Sequence, residues 1–312
     1  MSILPMKFYS LICAFVLSAC VCIAQNRDPL KTEIITSDLD NFWIAFEQAK
    51  PDFNPEVFQK LYLNKGSKGV KGFTPGRIKN ADNLAKCVKR CVNYYSSIKP
   101  STDKIAGMKD EIINSFVKLK ELYPKAVFPP VYFVIGVLSS GGTTSKGGLI
   151  IGAEMYGMTP ETPKDELNAW LLTVLKPVEE VPHIVAHELI HFQQTYDGGS
   201  LLQASLKEGS ADFIAELISG KHINGHVHDF ANPKEKELWL EFKERMLNMN
   251  YDGWLYSSTE GRPNDLGYWM GYQITKAYYD RADDKQKAIQ EILTIKDAEK
   301  FLMASGYEEK FR

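Results

Sequence analysis

The chain has 312 residues, 44% of them hydrophobic and 24% charged, with 37 basic against 39 acidic side chains. Sixteen Phe, fifteen Tyr and five Trp exclude a disordered chain, and 22 Gly with 15 Pro are too few for a collagenous or low-complexity one. A net charge of -2 supplies no global field for phosphate backbones or acidic membranes, so no nucleic-acid partner is expected.

Residues 1–24 carry one charge, Lys7, followed by an apolar run from Phe8 to Ala24 broken only by Ser and Cys. The run is short for a membrane span and ends in small residues, which predicts an export signal rather than a retained helix. Two processing sites compete. Leu17-Ser18-Ala19-Cys20 resembles a bacterial lipoprotein box, which would end the signal at residue 19 and put a lipid on Cys20. Cys22-Ile23-Ala24 before Gln25 suits an ordinary signal peptidase, which would end it at 24. The expected location is the periplasm or cell envelope, with the chain either lipid-anchored or soluble. Beyond residue 24 only Cys87 and Cys91 remain. Their i, i+4 spacing permits a local disulfide that would staple almost nothing, and two Cys alone do not complete a metal site.

From Ser37 to about Tyr123 apolar residues recur every three to four positions. This predicts helices over NFWIAFEQA, PEVFQKLYL, NLAKCVKRCVNYYSSI and KIAGMKDEIINSFVKLKELY, the first capped from Ser37-Asp38-Leu39-Asp40. The basic, Gly-rich NKGSKGVKGFTPG lacks the Gly-Lys-Ser/Thr ending of a phosphate loop and is expected to be a solvated linker. After Pro129-Pro130 the pattern changes: VYFVIGVL and GLIIGAEM are strand-like runs joined by SSGGTTSKG, a hairpin-like connection. Beyond Pro163 the chain reads as helical to its end. The expected class is α+β, predominantly α-helical, with a helical N-terminal region over 25–125 and a second region over 126–312 that holds the strands and the later helices.

All six His fall between His183 and His228. In VEEVPHIVAHELIHFQQTYDGG, Pro182 suits a first helical turn, and Gly198-Gly199 is expected to stop the helix. His187 and His191, four residues apart, project from one face and can reach a single ion. Zinc takes such nitrogens together with a third protein ligand and an open position. Glu188 is rotated off that face, beside the ion rather than on it, where a carboxylate can take a proton from water. Seventeen residues after His191 comes Glu208, in the helical SLKEGSADFIAELISG closed by Gly220. It is the expected third ligand, with Glu216 its rival.

These residues resemble the gluzincin metallopeptidases: His187-Glu188-Leu189-Ile190-His191 matches their zinc helix and Glu208 their glutamate ligand. The resemblance implies a zincin-like catalytic region, Zn2+ as cofactor, a peptide or protein substrate and Glu188 as general base. It places Asp212 where an aspartate holds a zinc-ligating His, against a bland alternative of a solvated or capping acid. It also implies an oxyanion donor on a later segment, for which Tyr268 in GRPNDLGYWMGYQITKAYYD is the first choice, followed by Tyr272 and Arg262. His226 and His228 are further donors or plain surface histidines, and His183 is a helix-packing residue. GGLIIGAEM is either a substrate-pairing edge strand or an ordinary core strand. Over most of the chain the order of motifs resembles uncharacterised, predicted zinc-dependent proteases among exported bacterial proteins, including gliding-motility-type lipoproteins. A catalytically silent envelope binding or assembly protein on the same fold is the alternative, and a hydrolase of a non-peptide amide or wall peptide a third.

Overall fold

The computed structural model describes residues 25–312 apart from Ser258 and Glu260. The expected leader, Cys20 and both processing sites lie outside the described residues. The chain is α+β and predominantly helical, with one four-stranded mixed sheet. No described helix is long and apolar enough to cross a membrane.

The first half runs through β1 (Ile34–Ile35), α1 (Ser37–Ala49), α2 (Pro55–Phe58), α3 (Lys68–Phe73), α4 (Ala81–Arg90), α5 (Val92–Asp103) and α6 (Lys109–Leu122). Two expectations fail here. Asp38 does not cap α1. It is buried and accepts hydrogen bonds from the backbone and hydroxyl of Ser67, tying α1 to the N-cap of α3. NLAKCVKRCVNYYSSI is two helices, because Cys91 leaves helical geometry and the Glu166 carboxylate accepts from the amides of Asn93 and Tyr94 at 2.9 and 3.0 Å, capping α5 from a distant loop. Cys87 and Cys91 are free and buried, and burial pushes the Cys87 thiol up to about 11.

The Gly-rich basic segment is no linker either. It forms α3 and a following wide turn over Thr74–Ile78, with Val70 and Phe73 buried. A Cβ on Gly69 would lie 2.3 Å from Tyr132 Cβ, so this glycine permits helix and sheet to touch.

The sheet has the order β1-β2-β4-β3, with β2 (Val131–Val134), β3 (Gly142–Ser145) and β4 (Gly148–Gly152). The two apolar runs pair in parallel, Val131 with Leu149 through Val134 with Gly152, and so are not arms of one hairpin. The hairpin is β3–β4, and the connecting segment itself supplies the edge strand. β4, from the candidate edge GGLIIGAEM, is fully buried inside the sheet.

The rest is helical: α7 (Ala169–Val174), α8 (Val181–Gln193), α9 (Leu201–Ser219), α10 (Gly225–Ala231), α11 (Glu235–Arg245), α12 (Leu266–Arg281), α13 (Lys285–Leu293) and α14 (Ala298–Ser305). The core is continuous from α1 to the C-terminal Tyr307. Gln193 at the end of α8 exchanges two hydrogen bonds with the Val127 backbone at 2.9 and 2.8 Å, joining that helix to the approach to β2. α9 and α12 meet backbone to backbone: a Cβ on Gly271 would lie 1.7 Å from Ser205 O, and one on Gly209 2.1 Å from Tyr272 N.

Two predictions follow from this packing. Gly271→Ala must push α9 and α12 apart and is expected to cost about 1–3 kcal/mol in urea unfolding; an unchanged midpoint would refute the close crossing. Glu154 is fully buried, accepts from Leu138 N and is pushed by burial to about 7. Because its folded pKa lies above its unfolded value, its proton is taken up on folding, and stability falls as pH rises from about 4.5 through 7. Glu154→Gln is therefore expected to gain on the native protein by about 3 kcal/mol between pH 4 and pH 8. Equal unfolding differences at the two pH values would show that this burial carries no charge penalty.

Candidate metal centre

α8 begins at Val181, with Pro182 in its first turn, and ends at Gln193, five residues before Gly198. The expected glycine stop is not what ends it. Gln194 turns extended, and its side chain is consumed by tertiary bonds: Oε1 to His191 Nδ1 at 2.7 Å, Nε2 to Lys207 O at 2.7 Å and to Ser210 Oγ at 3.0 Å. α9 starts on a Ser200 cap and closes at left-handed Gly220. Its packing against α8 brings Glu208 to the histidines.

One ligand atom each from His187, His191 and Glu208 falls within 4.8 Å of the others, a group able to hold a metal ion. Glu208 Oε2 is 3.1 Å from His191 Nε2 and 3.8 Å from His187 Nε2. Ligands about 2.0–2.1 Å from a tetrahedral zinc stand about 3.3 Å apart, so these spacings fit. The other ring nitrogens are held from behind. His187 Nδ1 lies 2.7 Å from Asp212 Oδ1, and Asn224 Nδ2 donates to Asp212 Oδ2 at 2.7 Å. With Gln194 on His191, both imidazoles are turned so that Nε2 faces the common point.

The local charges favour a cation there. Burial opposes charge on His191, but the Glu208 carboxylate outweighs it and holds the imidazole above its ordinary range. Burial likewise works against ionised Glu208 and Asp212, yet His191 and His187 respectively keep both carboxyls below theirs. Glu188, 9% exposed, is pushed up by burial. It borders the same cavity of about 760 Å3 as His187, His191 and Glu208. β3 crosses directly above it: a Cβ on Gly142 would come within 2.4 Å of Glu188 Oε1.

Tyr268 lines this cavity too, its ring stacked on His187 at 6.3 Å, and burial holds its phenol far above the ordinary range, as a neutral donor. Tyr272 instead donates to Glu216 Oε2 at 2.7 Å, which removes both from the centre. Arg262 pairs with Glu241 at 2.8 Å, His226 borders a separate cavity, His228 packs on His222, and His183 is buried in α8.

Four contributors were not singled out in the sequence: Gln194, Asn224, Tyr256 and Arg77. Tyr256 donates to Glu208 Oε1 at 3.0 Å, and Arg77 faces the cavity from the turn after α3. Only Gln194, three residues after His191 and just past the end of α8, lies near enough in sequence to carry a local signal.

No curated protein and no solved structure matches this chain. The model of the family described as gliding motility protein GldB matches residues 27–309, nearly all of the described chain. A match of that extent makes the chain a member of the GldB lipoprotein family, proteins of the cell envelope.

Proposed function

We propose that this envelope protein is a zinc-dependent hydrolase of peptide bonds. The observation that carries the reading is the convergence of His187, His191 and Glu208 beside the buried carboxylate of Glu188, all open to one cavity. When bound by those three side chains, zinc supplies the Lewis acidity that makes water nucleophilic and polarises a carbonyl. Glu188, confined between α8 and β3, takes the proton of the attacking water and returns it to the leaving amine. Burial raises its carboxyl, which makes it a better base than an exposed glutamate.

Tyr268 serves as hydrogen-bond donor to the developing oxyanion. Tyr256, already donating to Glu208, helps hold the ligand. Asp212 and Gln194 keep the imidazoles in place. The ligands and base come from the catalytic region proposed over 126–312, and Arg77 from the helical region over 25–125 completes the cleft.

The family match favours a second reading, a catalytically silent envelope binding or assembly protein that keeps the same fold, with or without the metal. The family's description names motility and not proteolysis.

Two measurements decide. Elemental analysis of the purified chain is expected to give about one zinc per molecule, lost in His187→Ala and Glu208→Ala. Absence of stoichiometric metal in the native protein would remove the hydrolase and leave the assembly reading. Incubation with a broad peptide library is expected to give chelator-sensitive cleavage that Glu188→Gln, still holding zinc, lowers by about 10²–10⁴-fold. Full activity in Glu188→Gln would sink the proposed base, and zinc without any cleavage would leave the assembly reading.

A further inference from the structure

Resting on the peptide-hydrolase reading, we infer that the cleft selects acidic polypeptide and that Arg77 is the side chain that reads the acidic residues. The argument starts with where acids are missing. Between Glu56 and Asp82 the chain carries Lys60, Lys65, Lys68, Lys71, Arg77 and Lys79 without one Asp or Glu. Between Glu121 and Glu154 its only charges are Lys125 and Lys146. The fold sets these two acid-free segments against each other. Gly69 of α3 abuts Tyr132 in β2, and a Cβ on Gly72 would lie 2.9 Å from Ile150 Cδ1 in β4 and 4.0 Å from Ser145 Oγ at the end of β3.

The result is a cationic face formed by α3, the turn after it and the β3–β4 hairpin, from which Arg77 reaches the candidate metal centre. From it Arg77, Gly142, Thr143 and Thr144 face the cavity that contains Glu188 and Glu208. Lys68, Lys71, Arg77, Lys79 and Lys146 are exposed, and among the described residues none forms an ion pair. Lys207, on the rim of the same cavity, is by contrast paired with Asp197, and Lys243 and Lys310 elsewhere on the surface also sit beside carboxylates. A row of cations without intramolecular partners, beside a cleft, raises the local concentration of anionic ligands.

Polypeptide fits this cleft better than a phosphate polymer or a lipid surface. The cavity also carries Glu188, Glu208 and the Asp197–Lys207 pair, a mixed lining that suits a chain of varied side chains better than an evenly charged polyanion. A peptide can present carboxylates to one face only. β3 is also a sheet edge, with backbone donors and acceptors free to pair an extended chain. The cationic face accordingly receives acidic side chains on one flank of the scissile bond, and the guanidinium of Arg77 suits a carboxylate in bidentate contact.

The test separates binding from turnover. Fluorescence anisotropy is read for labelled extended peptides alternating Ser with Glu, Gln or Lys, using the zinc-loaded full chain carrying Glu188→Gln. The Glu peptide is expected to bind roughly tenfold tighter than the Gln peptide at low salt, an advantage largely lost at about 0.3 M salt. Arg77→Gln in the same background should weaken the Glu peptide several-fold and leave the Gln peptide unchanged, with a smaller loss in Lys71→Gln. Equal affinity for the three peptides, or an equal loss for all in Arg77→Gln, overturns the inference. So does displacement of the Glu peptide by phosphatidylglycerol vesicles whose binding ignores Arg77→Gln, which would make the cationic face a membrane surface. Hydrolysis of neutral peptides by the native protein without an acidic preference rejects the inference and keeps the hydrolase. Acidic preference in binding without hydrolysis of any peptide keeps the inference and removes the hydrolase.

Discussion

The arrangement of the centre depends on how closely α9 and α12 approach. Side chains normally keep helices 8–10 Å apart. Here Gly209 and Gly271 let the two backbones touch, with Gly271 against Ser205. Glu208 is the neighbour of Gly209, and Tyr268 lies one turn from Gly271. The close crossing thus sets Glu208 and Tyr268, the proposed ligand and phenol donor, in one step, and fixes both against α8 without a loop. Catalytic groups carried on packed helices are held more narrowly than groups on loops.

Burying this many ionisable groups is costly unless each has a partner, and the structure answers with contacts in series. Asn224 holds Asp212, Asp212 holds His187, Gln194 holds His191, and Tyr256 holds Glu208. Glu188 is the exception. It has no such anchor, lies under the backbone of Gly142, and is raised by burial. The base role proposed for Glu188 needs that freedom, because a carboxylate tied to a donor is a weaker proton acceptor.

Much of this was legible in the chain. The His187-Glu188-x-x-His191 spacing, the Glu208 helix and its Gly220 stop are local properties, and local sequence encodes them. Partners from other elements were not legible: Arg77, Asn224 and Tyr256 reach the centre only through tertiary packing. The strand runs were visible, but apolar runs of four or five residues do not encode whether they pair parallel or antiparallel. The basic segment was misread because glycine usually signals a loop; in α3 it removes the side chain that would keep the helix off β2. α5 starts where Glu166 reaches it, a boundary no window around Cys91 contains.

The two free, buried cysteines have a consequence for how the protein endures outside the cytoplasm. Burial holds the Cys87 thiol up, and no disulfide among the described residues cross-links this fold. The ion proposed for His187, His191 and Glu208 would add a strong tether, joining α8 to α9. Scarcity of that metal in the envelope would register first as a shorter lifetime of the folded protein, through proteolysis of its loosened form, and so tie its abundance to metal supply.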